Sequence, residues 1–157
     1  MKNLKFNDII NLKEDINMEE KNPKIMYEVL DHTGDLKIKV YGNSYKTIFE
    51  NAISAMANLI VKTSNLIPDK IIDIKIERNN YYDLLVSLLS DIIYYLETQN
   101  ILYFISDLEI KNMHITGKLY GAELPENVEY EYVIKDPTYY DLEICPEKNY
   151  ATIVFDI

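Results

Sequence analysis

Leu84, Leu88, Ile92 and Leu96 recur every four residues, and Leu85, Leu89 and Ile93 broaden that row into a wide apolar stripe. Repetition at this interval marks a helix with one buried face. The spacing predicts a helix over about residues 81–98, with Asn79-Asn80 as the turn or cap before it. Asp83 falls in its first turn, where the helix macrodipole favours a negative charge. A stripe that wide needs a sheet to cover. Strands are at hand: Ile72, Ile74 and Ile76 alternate with Asp73, Lys75 and Glu77, a strand with one wet face.

An earlier helix starts at Ser44, whose side chain can cap the free amides of a first turn. Ile48, Phe49, Ala52, Ala55, Met56, Leu59 and Ile60 share one face of it, with Glu50, Asn51, Ser54 and Asn58 on the other. Strands are expected over 25–30 and 36–41, and after residue 101 over 102–110, 113–120, 130–135, 139–144 and 150–157, the last two closing as a hairpin. Residues 121–129 read as a loop around Pro125. The fold class is therefore α+β: a two-layer domain of mostly antiparallel β-sheet with two amphipathic helices packed on one face. The expected organisation is a variable N-terminal extension, residues 1–25, with a short helix from Phe6 to Leu12, followed by one domain over 26–157.

Charge narrows the function. The 157 residues carry a formal net charge of -10, a surface that repels phosphate backbones and suits a basic protein partner or a cation. Direct nucleic-acid binding is not expected. The single cysteine, Cys145, excludes an internal disulfide and suits a reducing compartment. No apolar run is long enough to span a membrane, and the expected location is the cytoplasm. Phosphate-binding glycine loops and Cys/His zinc patterns are absent from the sequence.

The densest polar cluster is Asp31-His32-Thr33-Gly34-Asp35, a turn that feeds the alternating strand Leu36 to Tyr41. Asp35 stands where loop becomes strand, on the polar side. At the other end of the chain, Ile153, Phe155 and Ile157 alternate with Thr152, Val154 and Asp156. Asp156 and the α-carboxylate of Ile157 put two carboxylates one residue apart. If Asp35 lies on a neighbouring strand end, three carboxylates converge and repel unless a cation joins them. All-oxygen ligation suits Ca²⁺ or Mg²⁺. The other reading is a solvated strand end, a common surface feature.

Asp31-His32-Thr33-Gly34-Asp35 resembles the D/E-H-T-A-D signature of the archease family, and Ile153-Val154-Phe155-Asp156-Ile157 resembles that family's terminal V-I-F-D-I. The resemblance covers about residues 26–157 and includes the second helix. It implies a divalent metal, usually calcium, held by Asp35, Asp156 and the terminal carboxylate of Ile157. A third segment, Lys135-Asp136-Pro137-Thr138-Tyr139-Tyr140, is similar to the family's K-x-x-T-Y-H, with Tyr140 where histidine is usual. Tyrosine keeps an aromatic body but does not exchange a proton near neutral pH. Asp31, His32, Lys135, Thr138 and Tyr139 are the candidates for supporting the metal or touching a partner.

The resemblance further implies a non-catalytic accessory factor of the RtcB-type tRNA-splicing ligase, one that promotes guanylylation of the ligase by GTP and sustains multiple turnover without joining RNA itself. Two alternatives differ in class. A metal-stabilised protein-binding or chaperone module would capture many unrelated partners. A stand-alone metal-dependent hydrolase would use the cation to activate water, but the sequence offers it no second metal cluster, base or nucleophile.

Overall fold

The computed structural model describes residues 2–3, 26–30 and 33–157. Residues 4–25, and with them the helix expected from Phe6 to Leu12, lie outside the described residues, as do Asp31 and His32. Two antiparallel sheets and two helices make up the described chain. The first sheet contains β1 (Lys2–Asn3), β4 (Lys70–Glu77), β6 (His114–Glu123) and β5 (Ile101–Lys111), in that spatial order. The second contains β2 (Tyr27–Val29), β3 (Leu36–Tyr41), β9 (Tyr150–Asp156) and β7 (Asp136–Pro137), with β8 (Glu143–Cys145) paired to β9 as well. The expected α+β class holds, with the strands shared between two sheets.

Helix α1 (Tyr45–Ile60) begins as the sequence indicates: the Ser44 hydroxyl accepts from the Thr47 amide at 3.1 Å. Its apolar residues are buried on more than one side, Ala52, Ile53, Ala55, Met56 and Ala57 all fully. The helix packs on β5 of one sheet and on β3 and β2 of the other. Its polar residues are not a wet face. Lys46 Nζ donates to the Leu108 carbonyl, and Glu50 Oε2 accepts from the Leu108 amide at 2.9 Å. One turn on, the Ser54 hydroxyl donates to the Phe104 carbonyl at 3.3 Å. On the other flank Asn51 Nδ2 donates to the Tyr41 carbonyl and Asn58 Nδ2 to the Tyr27 hydroxyl, both at 2.7 Å. Residues four apart reach the first sheet and residues seven apart reach the second, as helical spacing allows.

Helix α2 (Tyr81–Gln99) follows a cap in which Asn80 Oδ1 accepts from the Asp83 amide at 2.8 Å. Leu84, Leu85, Leu88, Leu89, Ile92 and Ile93 are its buried stripe, as predicted. The two helix starts meet where Tyr45 and Tyr81 stack, with ring centroids 3.6 Å apart. Asn100 adopts the left-handed region, φ 57°, and turns the chain into β5.

Three expected strands differ. The partial alternation over 102–110 belongs to an 11-residue strand with a bulge at Phe104, whose extra residue turns its carbonyl to Ser54. Gly121 faces that bulge, where a Cβ would run into the Leu102 carbonyl. Residues 130–135 are not a strand: the Glu131 and Tyr132 amides donate to the Ile60 and Leu59 carbonyls and so finish the C-terminus of α1. Of 139–144 only Glu143 and Ile144 fall in a strand, because the chain turns at Asp141, φ 49°.

Burial pushes the Glu50 carboxyl above its ordinary value of 4.5, against the lowering influence of the Leu108 amide and Lys46. A raised folded value means the folded state holds the proton more tightly. That contribution is complete below the unfolded value and is lost as pH rises through the folded one. Glu50→Gln, which keeps an oxygen for the Leu108 amide, is expected to gain on wild type at neutral pH, with the gap closing on acidification toward the unfolded value. Glu50→Ala leaves that amide without its acceptor and is expected to cost about 1–3 kcal/mol. Urea unfolding midpoints across pH check both.

Candidate metal centre

Strand β3 pairs with β9 from Leu36↔Phe155 to Tyr41↔Tyr150. Asp35 and Asp156 are therefore the next positions outward from the Leu36↔Phe155 rung. On the far side of β9, Asp136 of β7 pairs with Asp156 itself. One end of the second sheet thus presents aspartates on three neighbouring chains. All three are exposed, while Leu36, Phe155 and Pro137, one rung in, are buried. The apolar rung anchors the acidic one.

The local backbone accounts for each placement. Gly34, at φ 89°, takes the conformation that closes the turn before Asp35. Asp156 is held on the β7 side of its strand end, where the Lys135 amide donates to its carbonyl at 2.8 Å. Thr138 fixes the preceding stretch of β9: its amide and hydroxyl both donate to the Val154 carbonyl, at 2.9 and 2.8 Å. Ile157 is half-buried, with its side chain packed against the core.

Helix α2 closes the β7 side. The Ser90 hydroxyl donates to Asp136 Oδ1 at 2.8 Å. The Tyr139 hydroxyl donates to Asp83 Oδ1, also at 2.8 Å, while Asp83 Oδ2 accepts from Asn80 Nδ2 at 3.0 Å. The Asp83 hydrogen bond, then burial and the Asp83 charge, hold the Tyr139 phenol above its ordinary value of 10.0. Tyr140, 69% exposed, adds an aromatic surface beside Asp141, whose carboxylate lies 3.7 Å from Lys37 Nζ.

Of the residues named from sequence, Asp35, Asp156 and Ile157 come together at one sheet end. Lys135 and Thr138 pin the strand that carries Asp156, and Tyr139 reaches α2 instead. Asp31 and His32 are not among the described residues. Asp136 is the residue the sequence reading passed over, although it sits inside the Lys135–Tyr140 segment. Its signal was a carboxylate next to Pro137, obscured by ending the expected strand at Lys135. Among the described residues no group of three or more His, Cys, Asp and Glu side chains is arranged to hold a metal ion. The oxygens of Asp35 and Asp156 nonetheless have the chemistry of a hard-cation site, which uses carboxylate, carbonyl and water oxygens together. No helix among the described residues is long and apolar enough to cross a membrane.

Comparison with known proteins adds three findings. The family model described as "Archease protein family (MTH1598/TM1083)" matches residues 27–157. The protein archease of Thermoplasma acidophilum is 40% identical over 87% of this chain and 96% of its own length, and that of Thermoplasma volcanium 39% over 83% and 98%. The solution structure of Methanobacterium thermoautotrophicum protein 1598 superposes with a TM-score of 0.68 at 23% identity, covering 84% of this chain and 99% of that one, a likeness of fold.

Tyr139→Phe removes the hydrogen bond to Asp83 and keeps the ring. With Tyr139 58% exposed, water competes for both partners, and the expected loss is about 0.5 kcal/mol at neutral pH. Because the folded value is raised, this stabilisation is present below the unfolded value and lost as pH rises through the folded one. Unfolding midpoints of the two proteins should converge at strongly alkaline pH.

Proposed function

The chain belongs to the archease family, and we propose that within it this protein is a metal-binding accessory factor of an RtcB-type tRNA-splicing ligase, working in the cytoplasm. It promotes guanylylation of the ligase by GTP and sustains multiple turnover, and it does not itself join RNA. The observation that carries this reading is the pairing of β3 with β9, which brings Asp35 and Asp156 to adjacent positions at one sheet end.

In this reading Asp35, Asp156 and the terminal carboxylate of Ile157 hold a divalent cation, calcium by preference. The cation supplies positive charge that relieves carboxylate repulsion and attracts nucleotide phosphate. The chain's own part is placement. Thr138 and the Lys135 amide fix the strand end, and the buried rung of Leu36 and Phe155 keeps the two aspartates side by side. The tip enters the mouth of the ligase active site and helps to set metal or nucleotide in place. The Lys135 side chain, exposed beside it, is suited to a phosphate or carboxylate of the partner. A net charge of -10 leaves RNA binding to the ligase.

Two measurements test this. Ligation by the cognate ligase is run with RNA in large excess and with GTP and divalent metal present. Turnover beyond one equivalent is expected only when this protein is added, and Asp35→Ala should lower the stimulated rate by at least about tenfold. Stimulation by Asp35→Ala equal to wild type would remove the tip from the mechanism. Separately, calcium should raise the thermal midpoint of wild type, with a chelator reversing the rise. The double variant Asp35→Ala/Asp156→Ala should show no such rise. A calcium response of equal size in the double variant would place any metal elsewhere.

A further inference from the structure

The segment that finishes α1, residues 130–134, continues alongside the C-terminal half of α2 and leaves a groove of about 400 Å³ between them. Ile60, Ile93, Leu96, Tyr130, Val133 and Ile134 line it. Val133 is 67% exposed and Tyr130 45%. Clustered apolar exposure of this kind marks an interaction site more often than an inert surface. Two further features define what fits. Glu97 lines the groove, and Glu129 and Glu131, both exposed, flank Tyr130. The groove also runs directly into the acidic tip: Ile134 is followed by Lys135, whose amide is bonded to Asp156.

We propose that this groove docks an amphipathic basic segment of the ligase, apolar side chains seated between α2 and Val133 and flanking lysines or arginines facing the glutamates. The proposal rests on the accessory-factor reading and gives the same partner a second point of attachment, one that sets affinity while the tip acts on the active site. Charge complementarity selects this occupant. A second copy related by a two-fold axis would set Glu97, Glu129 and Glu131 against their own like charges. The chain's first 25 residues carry five lysines (2, 5, 13, 21 and 24) against five acidic residues (8, 14, 15, 19 and 20), and so offer no net positive charge.

The test is the same ligation assay, titrating full-length protein against fixed ligase. Val133→Glu, an exposed position, and Glu97→Lys, on the groove rim, are compared with wild type and Asp35→Ala, each checked for an unchanged unfolding midpoint. Both groove variants should raise the half-saturating concentration, Val133→Glu by about tenfold. Asp35→Ala should lower the plateau instead. Unshifted half-saturation in both groove variants overturns the groove while leaving the tip standing. Failure of wild type to stimulate at all removes the functional reading, and the groove with it. A dimer mass by light scattering that Val133→Glu abolishes assigns the groove to a second copy. Hydrogen-exchange protection within residues 4–25 that Val133→Glu abolishes assigns it to the chain's own segment. Either of these last results overturns the proposal.

Discussion

Helix α1 packs on β5 of one sheet and on β3 and β2 of the other, and its seating is what lets the two act as one body. Apolar burial supplies the adhesion but little direction, since the hydrophobic effect is not directional. Direction comes from the polar residues. Lys46, Glu50 and Ser54 bind the main chain of β5, while Asn51 binds the end of β3. Rotating or sliding the helix by one residue would strand these groups in a part-buried setting, at a cost comparable to lost hydrogen bonds. The position of β3, and so of Asp35, depends on this lock.

The acidic sheet end is then braced from a second direction. Segment 131–139 first completes the C-terminus of α1, next pairs with β9 at Asp136 and Pro137, and then meets α2 through Tyr139. Ser90 adds a contact between α2 and Asp136. Few residues of this stretch are in regular structure, yet its backbone ties α1 to the strand that carries Asp156, and its side chains reach α2. Irregular backbone tied down at many points is a usual setting for functional groups on a rigid scaffold.

How much of this was legible depended on which partner each residue found. The α2 stripe was readable because one face meets the core and the other water, so periodicity and burial coincide. Along α1 the two separate: Glu50, Asn51, Ser54 and Asn58 look like a wet face, but carbonyls, an amide and a phenol take the place of water. A sequence pattern marks polarity and not the source of the complementary atom. Tyr130, Tyr132 and Ile134 alternate as a strand would, yet their backbone ends a helix, which local alternation does not reveal. Asp35 and Asp156, neighbours on the acidic rung, stood out by motif, and their adjacency required a strand pairing between residues more than a hundred apart. Asp136 was missed because its place follows from a second pairing, β7 with β9, just past the point where the expected strand ended at Lys135.

The α1 lock has a consequence for how such a chain can diverge. At Leu108, Phe104 and Tyr41 the atoms that receive the helix belong to the main chain. Every amino acid provides the carbonyl, and every one but proline the amide. For these hydrogen bonds, a side chain at position 41, 104 or 108 can change without a matching change in the helix. These hydrogen bonds ask for particular side chains only on the helix, while the strand residues Leu36, Ile38, Val40 and Leu108 answer instead to packing in the core.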